Sequence, residues 1–291
     1  MQQGYLQRAQ QEAERVVHTL PWGHVVWHVW RSPQTALAKN TAEPPVHGGP
    51  LVLLHGGSGS WTHWVNNVVH LSQTREVWAL DIPGFGDSDV PSEVRDADDL
   101  VPLLRALLAH AFPDQTVDVV AFSFGGLTAG LLAAQPPHNM RRLVLVGVPG
   151  LGLMQETLPM RGMLPEMTVQ QQRAVHRHNL KTIMLQHDSR ITEAVIDLQA
   201  ANVARDRMRR RRIARTDVLA RAQVHWQLPV YGIWGENDAL YTGQMDRITE
   251  KLPRLQSLTR IPDAGHWVMF EQPDAFHEAL TRALSNPLPA V

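Results

Sequence analysis

Three residues far apart in the chain stand in settings that suit nucleophilic catalysis: Ser123, Asp238 and His266. Ser123 ends the β-branched run of VDVVAFSFGG (117–126), where a buried strand would otherwise continue apolar. A strand that turns sharply into a helix lifts the serine Oγ above the sheet and needs small residues two positions to either side, here Ala121 and Gly125. A hydroxyl keeps its proton at neutral pH. It therefore needs an imidazole base, and the imidazole needs a carboxylate to fix its tautomer. WGEND (234–238) puts Asp238 just past an apolar strand, and PDAGHW (262–267) puts His266 on a glycine-preceded loop after the last one. Ser, Asp, His is the chain order that a serine elbow on such a sheet requires. Asp263 is the rival acid, but it sits three residues from His266 and off the strand end.

A tetrahedral intermediate also needs donors for its oxyanion. LLHGGSGSW (53–61) follows an early strand, and its glycines let backbone N–H groups approach a substrate oxygen. The expected donors are the N–H groups of Phe124 and Gly57, with Ser58 as the alternative to Gly57. His63 and Trp267 are candidate substrate contacts, with buried structural packing the favoured role for His63. His55 is expected to support its loop by hydrogen bonds. DIPGFGDS (81–88) lacks the GK[ST] or full GxGxxG pattern of a phosphate cradle and reads as a tight loop beside the pocket.

These residues require a frame that brings strand ends together. Short apolar runs at 51–54, 77–80, 117–122, 143–146, 230–234 and, more weakly, 255–261 alternate with helix-length segments. Continuous hydrophobicity over four to six residues fits parallel strands covered on both faces, and the alternation predicts an α/β sheet with right-handed crossovers. HVVWHVW (24–30) predicts an earlier strand, residues 1–20 an amphipathic helix ended by Pro21, residues 40–50 a loop, and 285–291 a frayed tail. Between about 151 and 222 the rhythm breaks. That span is rich in Met, Gln, Arg and His, has no clear strand and reads as helical, an insertion over the carboxyl ends of the strands. Met154, Met160, Met163, Met167 and Met184 are candidates for an adaptable apolar lining or for ordinary helix core.

Composition narrows the chemistry. The chain has 291 residues, 44% hydrophobic, with a net charge of −1. It has no global pull toward nucleic acid or anionic membrane. With no cysteine it has no thiol nucleophile and no disulfide, and the histidines form no paired ligand pattern, so neither a metal nor a cofactor is expected. A polar start without an apolar core predicts no signal peptide, and no run approaches the roughly 18 apolar residues of a membrane span. The expected location is cytoplasmic. The basic run RDRMRRRRIAR (205–215) reads as a solvated face or intramolecular ion pairs, with inward recognition of a substrate carboxylate as the alternative.

HGG at 55–57, DIPGFGDS at 81–88, AFSFGG at 121–126, GEND at 235–238 and AGH at 264–266 together resemble the α/β-hydrolase superfamily, over residues 50–150 and 223–285. Ala121 stands where that family's elbow usually has glycine. The resemblance implies the α/β-hydrolase fold, a mostly parallel doubly wound sheet flanked by helices. Residues 1–150 and 223–291 would form the core domain and residues 151–222 a helical cap. The implied activity is that of a serine hydrolase cleaving a small carboxylic ester or lactone through an acyl-enzyme. Alternatives are carbon–carbon hydrolysis of meta-cleavage products, cofactor-free perhydrolysis, and a ligand-binding receptor on the same fold. The expected partner is a small-molecule ester or related carbonyl compound, with no nucleic acid and no membrane, and a homodimer is left open.

Overall fold

The computed structural model describes residues 2–33, 49–154, 158–208 and 211–288. The apolar runs become strands because a four-to-six-residue stretch of β-branched and leucine side chains can bury both faces of a pleated ribbon. Among the described residues eight strands result: β1 (Glu14–Leu20), β2 (Gly23–Trp30), β3 (Leu51–Leu54), β4 (Val77–Leu80), β5 (Val117–Phe122), β6 (Met140–Val146), β7 (Val230–Gly235) and β8 (Leu255–Ile261). They form one sheet in the order β1-β2-β4-β3-β5-β6-β7-β8. The two pairings that involve β2 are antiparallel and the other five are parallel. Alternate residues serve opposite layers. Val52, Leu54, Val119 and Ala121 belong to one hydrophobic cluster, and Leu51, Leu53, Val120 and Phe122 to the other. All eight are fully buried, and each such leucine contributes about 2 kcal/mol of transfer free energy.

Among the described residues six helices have eleven residues or more: α1 (Gln2–Glu12), α2 (Leu100–Ala111), α3 (Ser123–Ala133), α4 (Val169–Asn179), α5 (Glu193–Ala204) and α6 (Pro273–Ser285). α3 leaves directly from β5 and its residues 124–133 are all buried.

The N-terminus departs from the sequence reading. The expected helix over 1–20 stops at Glu12, and Glu14–Leu20 pairs with β2 along its whole length. As an edge strand β1 pairs on one side only. Glu14, Arg15, His18 and Thr19 interrupt its apolar residues, so Val16, Val17 and Leu20 form neither a continuous run nor a regular alternation. Of the loop expected at 40–50, residues 40–48 lie outside the described residues, as do 289–291 of the expected tail.

Between β6 and β7 the described residues contain no strand. They are not helical throughout, because Pro159, Gly162 and Pro165 keep 158–165 irregular. α4 begins where Thr168 and Gln171 close a capping box, Thr168 Oγ1 accepting from the Gln171 N–H at 3.3 Å and Gln171 Oε1 from the Thr168 N–H at 2.8 Å. No helix among the described residues is long and apolar enough to cross a membrane.

One buried histidine on α6 makes stability depend on pH. His277 Nε2 lies 3.0 Å from Asn67 Oδ1, and its ring stacks on His70 at 4.0 Å. Burial and the neighbouring His70, opposed by Asp274, lower its pKa from 6.5 to about 4. The folded chain thus binds fewer protons than the unfolded chain between those values. The contribution is complete above pH 6.5 and is lost as pH falls through about 4. Between pH 7 and pH 5 the stability is expected to fall by about 2 kcal/mol from this group. Thermal midpoints across that range, with His277→Gln flattening the slope, check it.

Candidate active site

β5 ends at Phe122 and α3 begins at Ser123, which has a φ of 48°, in the left-handed region. The strain holds because the residues after the serine are tightly packed. A β-carbon at Gly125 would lie 2.4 Å from the His55 carbonyl oxygen, and one at Gly126 would lie 2.2 Å from Val148 Cγ1. The buried methyl of Ala121 fits where the usual pattern has glycine.

The three residues singled out in the sequence meet here. His266 Nδ1 lies 2.7 Å from Asp238 Oδ2, and His266 Nε2 lies 2.9 Å from Ser123 Oγ. A carboxylate can only accept, so Nδ1 carries the proton and Nε2 is left to accept from the serine hydroxyl. Asp238 is buried at the end of β7, and its other oxygen accepts from the Leu240 N–H at 2.9 Å. Asp263 is exposed and faces His187 Nε2 at 2.9 Å, away from this group. Tyr241 packs nearby, and burial, then Asp238, pushes its hydroxyl pKa well above 10.

Gly57, Ser58 and Phe124 line the same cavity as Ser123 and His266, a space of about 230 Å³. Phe124 is the second residue of α3, in the first turn, where N–H groups have no intrahelical acceptor. The glycine loop is fixed from behind. His55 Nε2 accepts from the Ile82 N–H at 3.0 Å, so its Nδ1–H donates to the Gly56 carbonyl at 2.7 Å. Burial holds His55 below its ordinary pKa.

Of the two candidate substrate contacts, neither His63 nor Trp267 is on the cavity wall, and His63 takes the buried packing role favoured for it. Both are buried behind the glycine loop. His63 Nδ1 accepts from the Gly56 N–H at 3.2 Å, and Trp267 Nε1 donates to the His63 carbonyl at 2.8 Å. Burial, then the neighbouring His55 and His266, keeps His63 well below its usual pKa and therefore neutral. A β-carbon at Gly59 would lie 2.2 Å from the His63 ring, which accounts for the third glycine of the loop.

Met154, Met160 and Met184 of the proposed lining reach the cavity, joined by Leu180 and Ile183 from a wider π-type turn after α4. Met163 is exposed. The basic run divides. Arg205 pairs with Asp87, Arg207 caps loop carbonyls, and Arg211 and Arg215 line the cavity. The Arg211 guanidinium sits 5.6 Å from the Phe124 ring centre, and a β-carbon at Gly57 would lie 2.8 Å from its Cζ. Arg209 and Arg210 lie outside the described residues. Sequence reasoning missed Glu271. It is wholly buried and accepts from the Gly265 N–H at 2.7 Å and the His187 N–H at 2.8 Å, so it fixes the loop that carries His266. No local pattern marks it.

The chain is 27% identical over 244 residues to the dihydrolipoyllysine-residue acetyltransferase component of the acetoin cleaving system of Pseudomonas putida, covering 80% of this chain and 62% of that protein. It is 37% identical over 108 residues to a 2-hydroxy-6-oxo-2,4-heptadienoate hydrolase of Pseudomonas putida, covering 36% and 39%. The alignments thus span less than two thirds of either relative. Among solved structures, a putative lipase of Acinetobacter baumannii superposes with a TM-score of 0.73 at 17% identity, over 99% of this chain and 98% of that one. A family model described as alpha/beta hydrolase fold matches residues 49–273, from just before β3 to the start of α6. With a match over most of its length, the chain belongs to the alpha/beta hydrolase family of fold and sequence.

Proposed function

We propose that this protein is a serine hydrolase of small carboxylic esters or lactones, working through an acyl-enzyme on Ser123. The observation that carries the reading is the unbroken relay from Asp238 through His266 to Ser123, at 2.7 and 2.9 Å. Ser123 Oγ attacks the substrate carbonyl as its proton passes to His266 Nε2. Asp238 stabilises the imidazolium that forms. The N–H groups of Gly57 and Phe124 receive the oxyanion, each worth roughly 3 kcal/mol on deletion. The intermediate collapses, His266 returns the proton to the departing alcohol, and water activated by the same imidazole releases the acid. In this reading residues 151–222 form a cap over the site and residues 1–150 and 223–291 the core. A nitrophenyl ester series tests it. The cavity is small. Acetyl and butyryl esters should therefore be cleaved faster than decanoyl, and failure to cleave any ester would sink the reading.

A second reading, carbon–carbon hydrolysis of a dienoate acid, is favoured by Arg211 beside the glycine loop and by the likeness to the heptadienoate hydrolase. A charge-assisted pair with a substrate carboxylate is worth about 2 kcal/mol, or roughly 30-fold in affinity. Arg211→Gln should lower kcat/KM by about that factor for a carboxylate-bearing dienoate, and far less for a neutral ester. Absorbance loss of the yellow dienoate reports it, and equal effects on both substrates would remove carboxylate recognition by Arg211.

A further inference from the structure

The serines of HGGSGSWT are unexplained by an oxyanion loop, which needs only its glycines. In the fold they face Asn202 and Asp206, and Ser58 Oγ also accepts from the Arg211 guanidinium at 3.3 Å. Ser60 Oγ donates to Asn202 Oδ1 at 2.8 Å, and Asn202 Nδ2 donates to Thr62 Oγ1 at 3.0 Å. Ser58 Oγ donates to Asp206 Oδ2 at 2.7 Å. Hydroxyls at alternate loop positions 58, 60 and 62 thus meet two side chains four residues apart, at the end of α5 and just past it. Asn202 is 1% exposed, and the Asp206 carboxylate is oriented by the Met208 N–H at 2.9 Å and by an ion pair to Arg211. Ser58 has a φ of 49°, a left-handed conformation that a serine holds only when neighbours over-determine it. Glycines on either side give the loop no stiffness of its own.

We infer that Asn202 and Asp206 are positioning residues that hold the Gly57–Ser58 stretch in its oxyanion-binding conformation, so that docking of α5 on the core completes the site. This rests on the serine hydrolase reading above. Gln199, one turn earlier on α5, also lines the cavity. No hydroxyl or amide of the set needs to touch substrate. The effect passes through the Gly57 N–H, whose misplacement by a fraction of an ångström weakens the transition state more than the ground state.

The test uses the full chain with nitrophenyl acetate and a matching trifluoromethyl ketone, which forms a hemiketal on Ser123. Asp206→Ala is expected to lower kcat by roughly 10²-fold, with KM within about twofold of wild type. The ketone should bind more weakly by the same factor as kcat/KM falls. Asp206→Asn keeps an acceptor for Ser58 Oγ and should restore most of the loss. Should Asp206→Ala fail to fold, Ser58→Ala removes the donor at a partly exposed position and carries the same expectations. A folded variant with wild-type kcat, or with lower kcat and unchanged ketone affinity, overturns the inference. If Ser123→Ala is inactive in that assay, only the positioning role has failed. If Ser123→Ala is active, the underlying reading has failed with it.

Discussion

Ser123→Ala is expected to lower kcat by on the order of 10⁶, leaving only what the remaining site can do with bound water. The size follows from the interdependence of the relay: without Oγ, His266 has no proton to take and the oxyanion donors have no tetrahedral centre to hold. The fold should survive, since Ser123 makes one side-chain hydrogen bond, to His266. A companion variant separates function from stability. At a φ of 48° a non-glycine residue is strained. Ser123→Gly should therefore be as inactive as Ser123→Ala yet more stable than it by about 1 kcal/mol. Turnover of nitrophenyl acetate and thermal midpoints measure the two effects. A Ser123→Ala protein that keeps more than a small fraction of wild-type turnover would remove Ser123 as nucleophile.

Asp238→Asn should lower kcat by about 10⁴-fold with little change in shape. The buried carboxylate accepts from His266 Nδ1, and its second oxygen takes the Leu240 N–H. An amide fits the same space but can offer its NH₂ to Nδ1, which moves the imidazole proton to Nε2 and points a donor at the serine hydroxyl. The loss should therefore fall on kcat rather than KM. Asp263→Asn is the control for the rival acid: exposed and turned toward His187, it should leave kcat within about twofold of wild type. Reversal of the two phenotypes would exchange the roles of these aspartates.

The parts legible in the sequence are those whose cause is local. A strand buried on both faces must be apolar at nearly every position, so β3 to β7 are visible as runs. A nucleophile turn needs small neighbours within two residues, and this singled out Ser123, although a helix N-cap fits the same setting until Asp238 and His266 are counted with it. Asp238 and His266 follow because a strand end and a glycine-preceded loop are also local features. The edge strand β1 escaped, since pairing on one side lets charged and polar residues interrupt Val16, Val17 and Leu20, which form no run.

Sequence alone therefore determined the sheet's central strands and which serine, aspartate and histidine belong together. Tertiary structure decided what surrounds them. It put His63 and Trp267 behind the loop instead of on the cavity wall, brought Arg211 against Gly57, and aligned Asn202 and Asp206 with serines some 140 positions earlier. The physical reason is range. A turn or a buried strand leaves its mark on adjacent residues, whereas a contact closed by folding a whole segment over the sheet leaves none until both sides are in place.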